Sequence, residues 1–232
     1  MKTFCIITAN HNRPKIFTLW CMGIQRLRKE LGIDFPAVVV SDYKDVASAK
    51  SYDIHHIDQK NNPVNEKFNT ACEYAETLGV DYVMVLGSDD LVTTDTMRKY
   101  LEAMEDGVDV IGVNSVYFYA TQGDHRGTLL FLQRKAILGV GRMVSRYVMD
   151  KVEWRPWNVR KDWALDAMMW KSISPHVRNM VVFDDGMIVD CKSRHTMNPF
   201  ALWMRKIDNP LPRDIFWNNI SETEQNMLGL IW

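Results

Sequence analysis

Apolar positions in the first half of the chain alternate between short continuous runs and a helical period. Thr3–Thr8 is an apolar run of strand length. Pro14 then opens a segment whose apolar residues, Ile16, Leu19, Trp20, Ile24, Leu27 and Leu31, recur at the 3.6-residue helical spacing. Ala37–Ser41 predicts a second strand and Asp53–Ile57 a third. Val64, Phe68, Ala71, Cys72, Ala75 and Leu78 mark the next amphipathic helix, stopped at Gly79, and Tyr82–Leu86 reads as a buried strand. A helix through Met97, Tyr100, Leu101 and Met104 ends at Gly107, and Asp109–Val113 follows as another strand. Strands alternating with helices predict an α/β fold with a mostly parallel sheet flanked by helices. Ligands of such sheets bind beyond the carboxyl ends of the strands. Function is therefore expected in the polar residues just after each strand: Asn10–Arg13, Asp42 and Ser88–Asp90.

The pattern changes after about residue 114. Val116–Thr121 and Thr128–Gln133 flank Gln-Gly-Asp-His-Arg-Gly and predict an antiparallel hairpin. Helical pieces follow near Ser145–Val152 and Trp163–Ile173, then short strands at Met180–Phe183 and Met187–Asp190, and Ser221–Glu224 is a capping box opening a last helix. No internal repeat or low-complexity linker interrupts the chain. Residues 1–232 are therefore expected to form one domain: a ligand-binding half, 1–113, and a smaller antiparallel and helical half, 114–232.

Composition narrows the class. The 232 residues are 47% apolar and 25% charged, an ordinary globular mix that excludes intrinsic disorder. The 28 basic and 29 acidic residues nearly cancel, which disfavours attachment to nucleic acid or membrane by bulk charge. The four cysteines form no Cys-x-x-Cys pair, and Cys21 and Cys72 fall on apolar helical stripes, so buried thiols are expected. The apolar stretch Ile16–Ile24 is too short to span a bilayer and lacks the flanks of a signal peptide. A cytoplasmic setting without a transmembrane segment is the expectation.

The densest chemistry lies in Gly87-Ser88-Asp89-Asp90, at the end of the fourth predicted strand. Adjacent carboxylates repel one another there. Either they cap the next turn, as aspartates often do, or they share a cation, for which oxygen ligands suit Mn²⁺ or Mg²⁺. The surroundings favour the second reading. Lys67-Phe68-Asn69 on the preceding helix, the opening Ile7-Thr8-Ala9-Asn10-His11-Asn12-Arg13-Pro14, and Val39-Val40-Ser41-Asp42 stand in order around it. Over residues 3–92 this arrangement resembles the nucleotide-diphospho-sugar glycosyltransferases of the Rossmann-like GT-A fold, in particular the family-2 group. One position departs from the family pattern: Gly87 stands where the first Asp of its acidic motif is usual.

The resemblance implies hexosyl transfer from a nucleotide-diphosphate sugar, a UDP-sugar, with inversion at the sugar carbon. It implies donor contacts from Thr8, Ala9, Asn10, Arg13, Asp42, Lys67, Asn69, Ser88 and Asp90, and metal ligation by Asp89 with Asp90 helping. Further along, Gly139-Val140-Gly141-Arg142 through Arg146 resembles a Gly-rich, Arg-containing segment in which Arg142 and Arg146 meet phosphate oxygens. Asp162-Trp163 resembles the end of the family's Glu-Asp-Trp, and Leu165-Asp166 resembles the Gly-Leu-Asp of other GT-A chains; either aspartate is a candidate base. Asp166 is preferred, because Asp162 fits a helix N-cap. Val189-Asp190-Cys191-Lys192-Ser193-Arg194-His195 resembles a late Asp-x-Lys-Ser segment, and His195 is a candidate to complete a metal or diphosphate site. His55, His56 and His125 lack carboxylate partners at ligand spacing and read as structural. Of Trp154, Trp157 and Trp163, core packing is expected for at least two.

Two other classes compete. A nucleotidyltransferase would share the sheet and acidic site, but it carries an early Gly-rich phosphate loop, and Asn10–Lys15 contains no glycine. A non-catalytic nucleotide-sugar-binding module would keep the sheet and lack a base. The acceptor is open among a glycan, a lipid-linked intermediate, a protein and a modified DNA base. The last is suggested by the basic, aromatic run Arg134, Lys135, Arg142, Arg146, Lys151, Arg155, Arg160 and Lys161. The metal expectation has a clear counter-observation: a lysine filling the spot beside the two aspartates, or closure of that spot from solvent.

Overall fold

A computed structural model of the chain describes residues 1–60, 63–159, 163–193, 200–204, 207 and 210–230. β1 (Phe4–Ala9), α1 (Pro14–Leu31), β2 (Ala37–Ser41), α2 (Val46–Ser51), β3 (His55–Asp58), α3 (Val64–Thr77) and β4 (Tyr82–Val85) follow one another as strand–helix units. A turn leads to β5 (Asp90–Val92), α4 (Thr94–Glu105) and β6 (Val110–Val113), then to the hairpin β7 (Ser115–Ala120) and β8 (Leu129–Gln133). β9 (Arg142–Ser145), α5 (Arg146–Lys151), α6 (Leu165–Ile173), β10 (Met180–Phe183) and β11 (Ile188–Lys192) come next. α7 (Phe200–Met204), β12 (Pro210–Leu211), α8 (Asp214–Trp217) and α9 (Glu222–Leu230) complete the described elements.

The strands form a seven-stranded sheet in the order β10-β6-β9-β4-β1-β2-β3 and a five-stranded sheet in the order β12-β8-β7-β11-β5. In the larger sheet β3, β2, β1 and β4 run parallel, and β10 runs parallel to β6. β9 runs antiparallel between β4 and β6. Every residue of β1 is buried. Because side chains alternate across a strand, Phe4 and Ile6 join the core under α1 and α4, whereas Cys5 and Ile7 join the core under α3, α5 and α6. α1 is buried on two sides: Phe17, Trp20 and Ile24 pack on the large sheet, and Ile16 and Leu19 pack on the small one with Leu91, Val189 and Phe216. It is thus the wedge that fixes the two sheets against each other. All four cysteines are buried thiols, as expected from their apolar neighbours.

Two elements differ from the sequence expectation. Gly139–Arg146 is not a flexible loop: Arg142–Ser145 is the buried strand β9 inside the main sheet. Glycines on one side and arginines at both ends disguise it, and only Met143 and Val144, fully buried on opposite faces, carry its apolar signal. β5 is three residues long, too short to show a period, yet it carries the chain from the large sheet into the small one.

Candidate active site

The acidic residues sit where β4 ends and β5 begins. Asp90 N donates to Gly87 O at 2.9 Å, and Gly87 N donates back to Asp90 Oδ2 at 2.8 Å, closing a tight turn. A Cβ at Gly87 would lie 2.6 Å from that same Oδ2, so the side chain usual at this position has no room while Asp90 holds the turn. β5 pairs antiparallel with β11 in a register that sets Asp90 directly opposite Asp190. One oxygen from each of Asp89, Asp90 and Asp190 lies within 4.8 Å of the others. Like charges directly opposite each other across a strand pair are unfavourable. Burial, then Asp190 and Asp89, push the Asp90 carboxyl well above the usual carboxylate range. Burial and Asp89 likewise raise Asp190, against the pull of Lys192.

Two cations face these three carboxylates. Arg13 reaches across from the loop after β1, with Nη1 2.7 Å from Asp89 Oδ2 and Nη2 2.7 Å from Ser88 Oγ. Lys192, two residues beyond Asp190 and on the same face of β11, pairs with Asp190 Oδ2. A lysine at this spot is the counter-observation named above, so the donor set has to be weighed. Lys192 meets one oxygen of one carboxylate, and Asp190 Oδ1 remains buried without a partner. Two cations face three carboxyls, and the upward push on Asp90 and Asp190 shows that their ionised forms are under-compensated. The cluster also opens on a cleft of ≈ 220 Å³, lined by Arg13, Asp89, Asp90, Asp190, Lys192 and Asp166 among others. The all-oxygen set, the orphaned lone pair and the open cleft fit a divalent hard cation.

Beside this cluster the loops after β1 and β2 meet. His11 Nδ1 lies 3.0 Å from Asp42 Oδ2, Asn10 Nδ2 donates to Asp45 Oδ2 at 2.7 Å, and Lys67 Nζ donates to Asn10 O at 2.9 Å. Thr8 Oγ1 and Asn10 Oδ1 are buried without partners. Ala9, at the end of β1, is buried with them. His11 falls within the Asn10–Arg13 stretch expected to carry function, whereas Asp45 was not singled out from the sequence; only its place after a strand could have marked it.

Asp166 forms the other wall of the cleft, in the first turn of α6. Burial raises its carboxyl above the usual range, with Arg142 opposing the rise. A Cβ at Gly139 would come within 2.0 Å of its carboxylate, so the absence of a side chain at 139 makes the space for Asp166. Asp162 and His195 lie outside the described residues.

Four expected phosphate or donor contacts are placed otherwise. Lys67 is buried and its ammonium supports the Asn10 backbone. Asn69 donates through Nδ2 to Trp157 O at 2.9 Å and accepts from Trp157 N at 3.2 Å; it positions Trp157, which lines the cleft with Phe68. Arg142 is 2% exposed and donates through Nη1 to the Asp166 backbone carbonyl at 3.2 Å, instead of standing free for the phosphate oxygens it was expected to meet. Arg146 is at the opposite end of the sheet, where Nε donates to Val80 O at 2.9 Å. Within the described part of the basic run, Arg142 is buried and Arg155 pairs with Glu66 and Glu73. Trp154 and Trp157 are core residues, and Trp163 is 65% exposed.

An α/β sheet with one antiparallel strand inserted, a second small sheet, and an acidic turn where the central strand crosses between them together define the GT-A fold. The sequence profile of glycosyl transferase family 2 matches residues 24–202, and the chain belongs to that family. No curated protein matches the sequence. Among solved structures, *S. aureus* TarS 1–349 superposes with a TM-score of 0.61 at 15% identity, covering 82% of this chain and 60% of that one. The chain therefore spans 60% of the TarS structure, and this likeness speaks for the fold. The bifunctional IspDF of *Campylobacter jejuni* gives a TM-score of 0.47 at 14% identity, covering 79% of this chain and 50% of that one. A putative glucose-1-phosphate thymidylyltransferase of *Bacillus anthracis* gives 0.46 at 12%, covering 82% and 89%. Among the described residues, no helix is long and apolar enough to cross a membrane.

Proposed function

We propose that this protein transfers a sugar from a nucleotide-diphosphate sugar, with UDP as the nucleotide, to an acceptor hydroxyl with inversion, using Mn²⁺ or Mg²⁺. The observation that carries the reading is a single cleft walled on one side by Asp89, Asp90 and Asp190 and on the other by Asp166. Asp89 and Asp90 with Asp190 would hold a divalent ion, which would supply Lewis-acid stabilisation of a leaving diphosphate, worth several kcal/mol in general. Asn10 and Asp42 face the nucleoside from the ends of β1 and β2. Arg13, already turned toward Ser88 and Asp89, adds a planar cation beside the diphosphate.

Asp166 receives the acceptor's proton. As the acceptor oxygen bonds to the sugar's anomeric carbon, its hydrogen passes to the carboxylate, and the bond from that carbon to the phosphate oxygen breaks to release the nucleoside diphosphate. Asp166 is open to the cleft, where an acceptor can reach it, and general-base catalysis of this kind is worth roughly 10²–10⁴-fold. Trp157 and Phe68 supply an apolar floor on which a sugar ring can stack.

The test is calorimetry of UDP in the presence of Mn²⁺, followed by hydrolysis of a UDP-sugar panel by the wild type, Asp89→Ala and Asp166→Ala. Binding with turnover in the wild type alone is the expected result. No UDP binding would sink the donor assignment, and binding without turnover in any of the three would make the protein a non-catalytic module.

A further inference from the structure

Lys192 has no part in the reaction as drawn above, yet its setting is unusual for a bystander. It is 6% exposed, on the wall of the cleft, with an ammonium shared between Asp190 and the face of Phe118, 5.4 Å from the ring centroid. Cys191, between the two charged residues, points into the apolar core beneath the small sheet, so the pleat of β11 turns Asp190 and Lys192 to the same side. The backbone there is pinned: Lys192 O accepts from Thr121 N at 3.0 Å and from Thr121 Oγ1 at 2.8 Å. The four-carbon stem is the one part free to turn, and a lysine is a point charge on such a stem.

Charge balance decides what that freedom is for. Arg13 and Lys192 stand against three carboxyls, Asp89, Asp90 and Asp190. With all three ionised around a divalent cation the count is four positive against three negative, and the ion competes with Lys192 for the Asp190 carboxylate. A buried ammonium without a partner is costly, so the arrangement calls for an incoming anion. Gly87 sharpens the imbalance, because the side chain that would have added a fourth carboxylate is absent and has no room beside Asp90.

We propose that Lys192 is a second cation for the donor's diphosphate: it neutralises Asp190 in the free protein and turns onto a phosphate oxygen when nucleotide enters, so that part of the donor affinity survives without metal. This rests on the donor reading above.

UDP is the probe, titrated by calorimetry with Mn²⁺ and separately with EDTA, into the wild type, Lys192→Met, Lys192→Arg and Asp190→Asn. The wild type is expected to bind in both arms. Lys192→Met should lose about 10- to 100-fold in UDP affinity in each arm, the range of a charge-assisted hydrogen bond. Lys192→Arg should retain most of the affinity. Asp190→Asn, by releasing the ammonium, should bind UDP more tightly in EDTA. Mn²⁺ alone, followed by electron paramagnetic resonance, should bind Lys192→Met at least as tightly as the wild type, because the competitor for Asp190 is gone. A variant that merely disordered the cleft would lose ion and nucleotide together. Equal UDP affinity for Lys192→Met and wild type overturns the proposal, as does weaker binding to Asp190→Asn in EDTA. Thermal melting checks the fold; if Lys192→Met is unfolded, the arginine and asparagine variants decide alone. Absence of UDP binding to the wild type in both arms is a different result, and it strikes the donor assignment rather than Lys192.

Discussion

The two ends of the large sheet treat charge in opposite ways. At the end where β4 and β6 begin, each carboxylate is matched. Asp109 accepts from Arg178 Nε at 2.9 Å and Nη2 at 2.7 Å, from the Arg178 backbone N at 2.9 Å and from Ser145 Oγ at 3.3 Å. Asp81 accepts from Thr3 N at 2.8 Å and Thr3 Oγ1 at 3.1 Å. These bonds, first of all the Arg178 side chain for Asp109 and the Thr3 backbone for Asp81, hold both carboxyls below the usual range. At the other end Asp90 and Asp190 face each other, an oxygen is left without a partner, and burial drives both carboxyls up. The first end is arranged for the folded state by itself. The second is arranged for something that arrives, and its local cost is borne by the rest of the fold.

The largest expected effect tests the functional end. Asp166→Asn should lower kcat by roughly 10²–10⁴-fold with donor affinity unchanged, since the carboxylate acts on the acceptor. Steady-state kinetics against donor, with UDP calorimetry beside it, reads both quantities. An equal fall in donor affinity would move Asp166 from base to donor contact. Next comes a buried pair remote from the cleft: Arg26 and Glu224, 2.9 Å apart and nearly inaccessible, tie α9 to α1, while Arg26 also donates to Val92 O at the end of β5. Glu224→Gln leaves the buried guanidinium only the half-exposed Glu30 carboxylate, 3.8 Å away, and should cost up to about 3–5 kcal/mol in urea unfolding.

A smaller effect of opposite sign returns to the acidic cluster. If Asp90 stores repulsion, Asp90→Asn, which keeps an oxygen for Gly87 N, should raise Tm by roughly 2–4 °C while lowering turnover. A Tm that falls instead would mean that the cluster is already balanced by Arg13 and Lys192.

Much of this contrast was legible before the fold was known, but unevenly. The runs at Phe4–Ala9, Ala37–Ser41 and Tyr82–Val85 are buried on both faces, so their composition announces them, and the polar residues just beyond them mark the functional end. The pairing of Asp190 with Asp90 was not legible, because it arises from a register between β5 and β11 that no local pattern encodes. The place of Lys192 beside the acidic turn was hidden for the same reason, although the Asp-x-Lys-Ser segment itself, alternating about a buried cysteine, was there to be read. Arg142 and Arg146 mislead in a more instructive way. β9 runs antiparallel to β4, placing Arg142 beside Val85 near the acidic turn and Ser145 beside Tyr82 at the far end. Residues four apart in a loop can share a ligand; at the two ends of a strand they cannot.

The matched end yields the smallest and most sign-specific effect. Asp109 is held below the usual carboxylate range by its bonds to Arg178 and Ser145. Its contribution to stability is therefore complete above the unfolded-state value, near 4 for an aspartate, and is lost as pH falls through the lower folded value. Asp109→Asn should lower the urea midpoint at neutral pH, and the gap between variant and wild type should shrink as pH is taken down through that window. Because Arg178 is on the surface, added salt should narrow the gap further at neutral pH. The same pair of titrations on Asp90→Asn should show the reverse order: Asp90 is raised in the folded state, so the variant is the more stable at neutral pH, and the advantage fades as pH falls toward about 4, where the unfolded chain also binds the proton. Gaps of the same sign at both ends would erase the distinction between them.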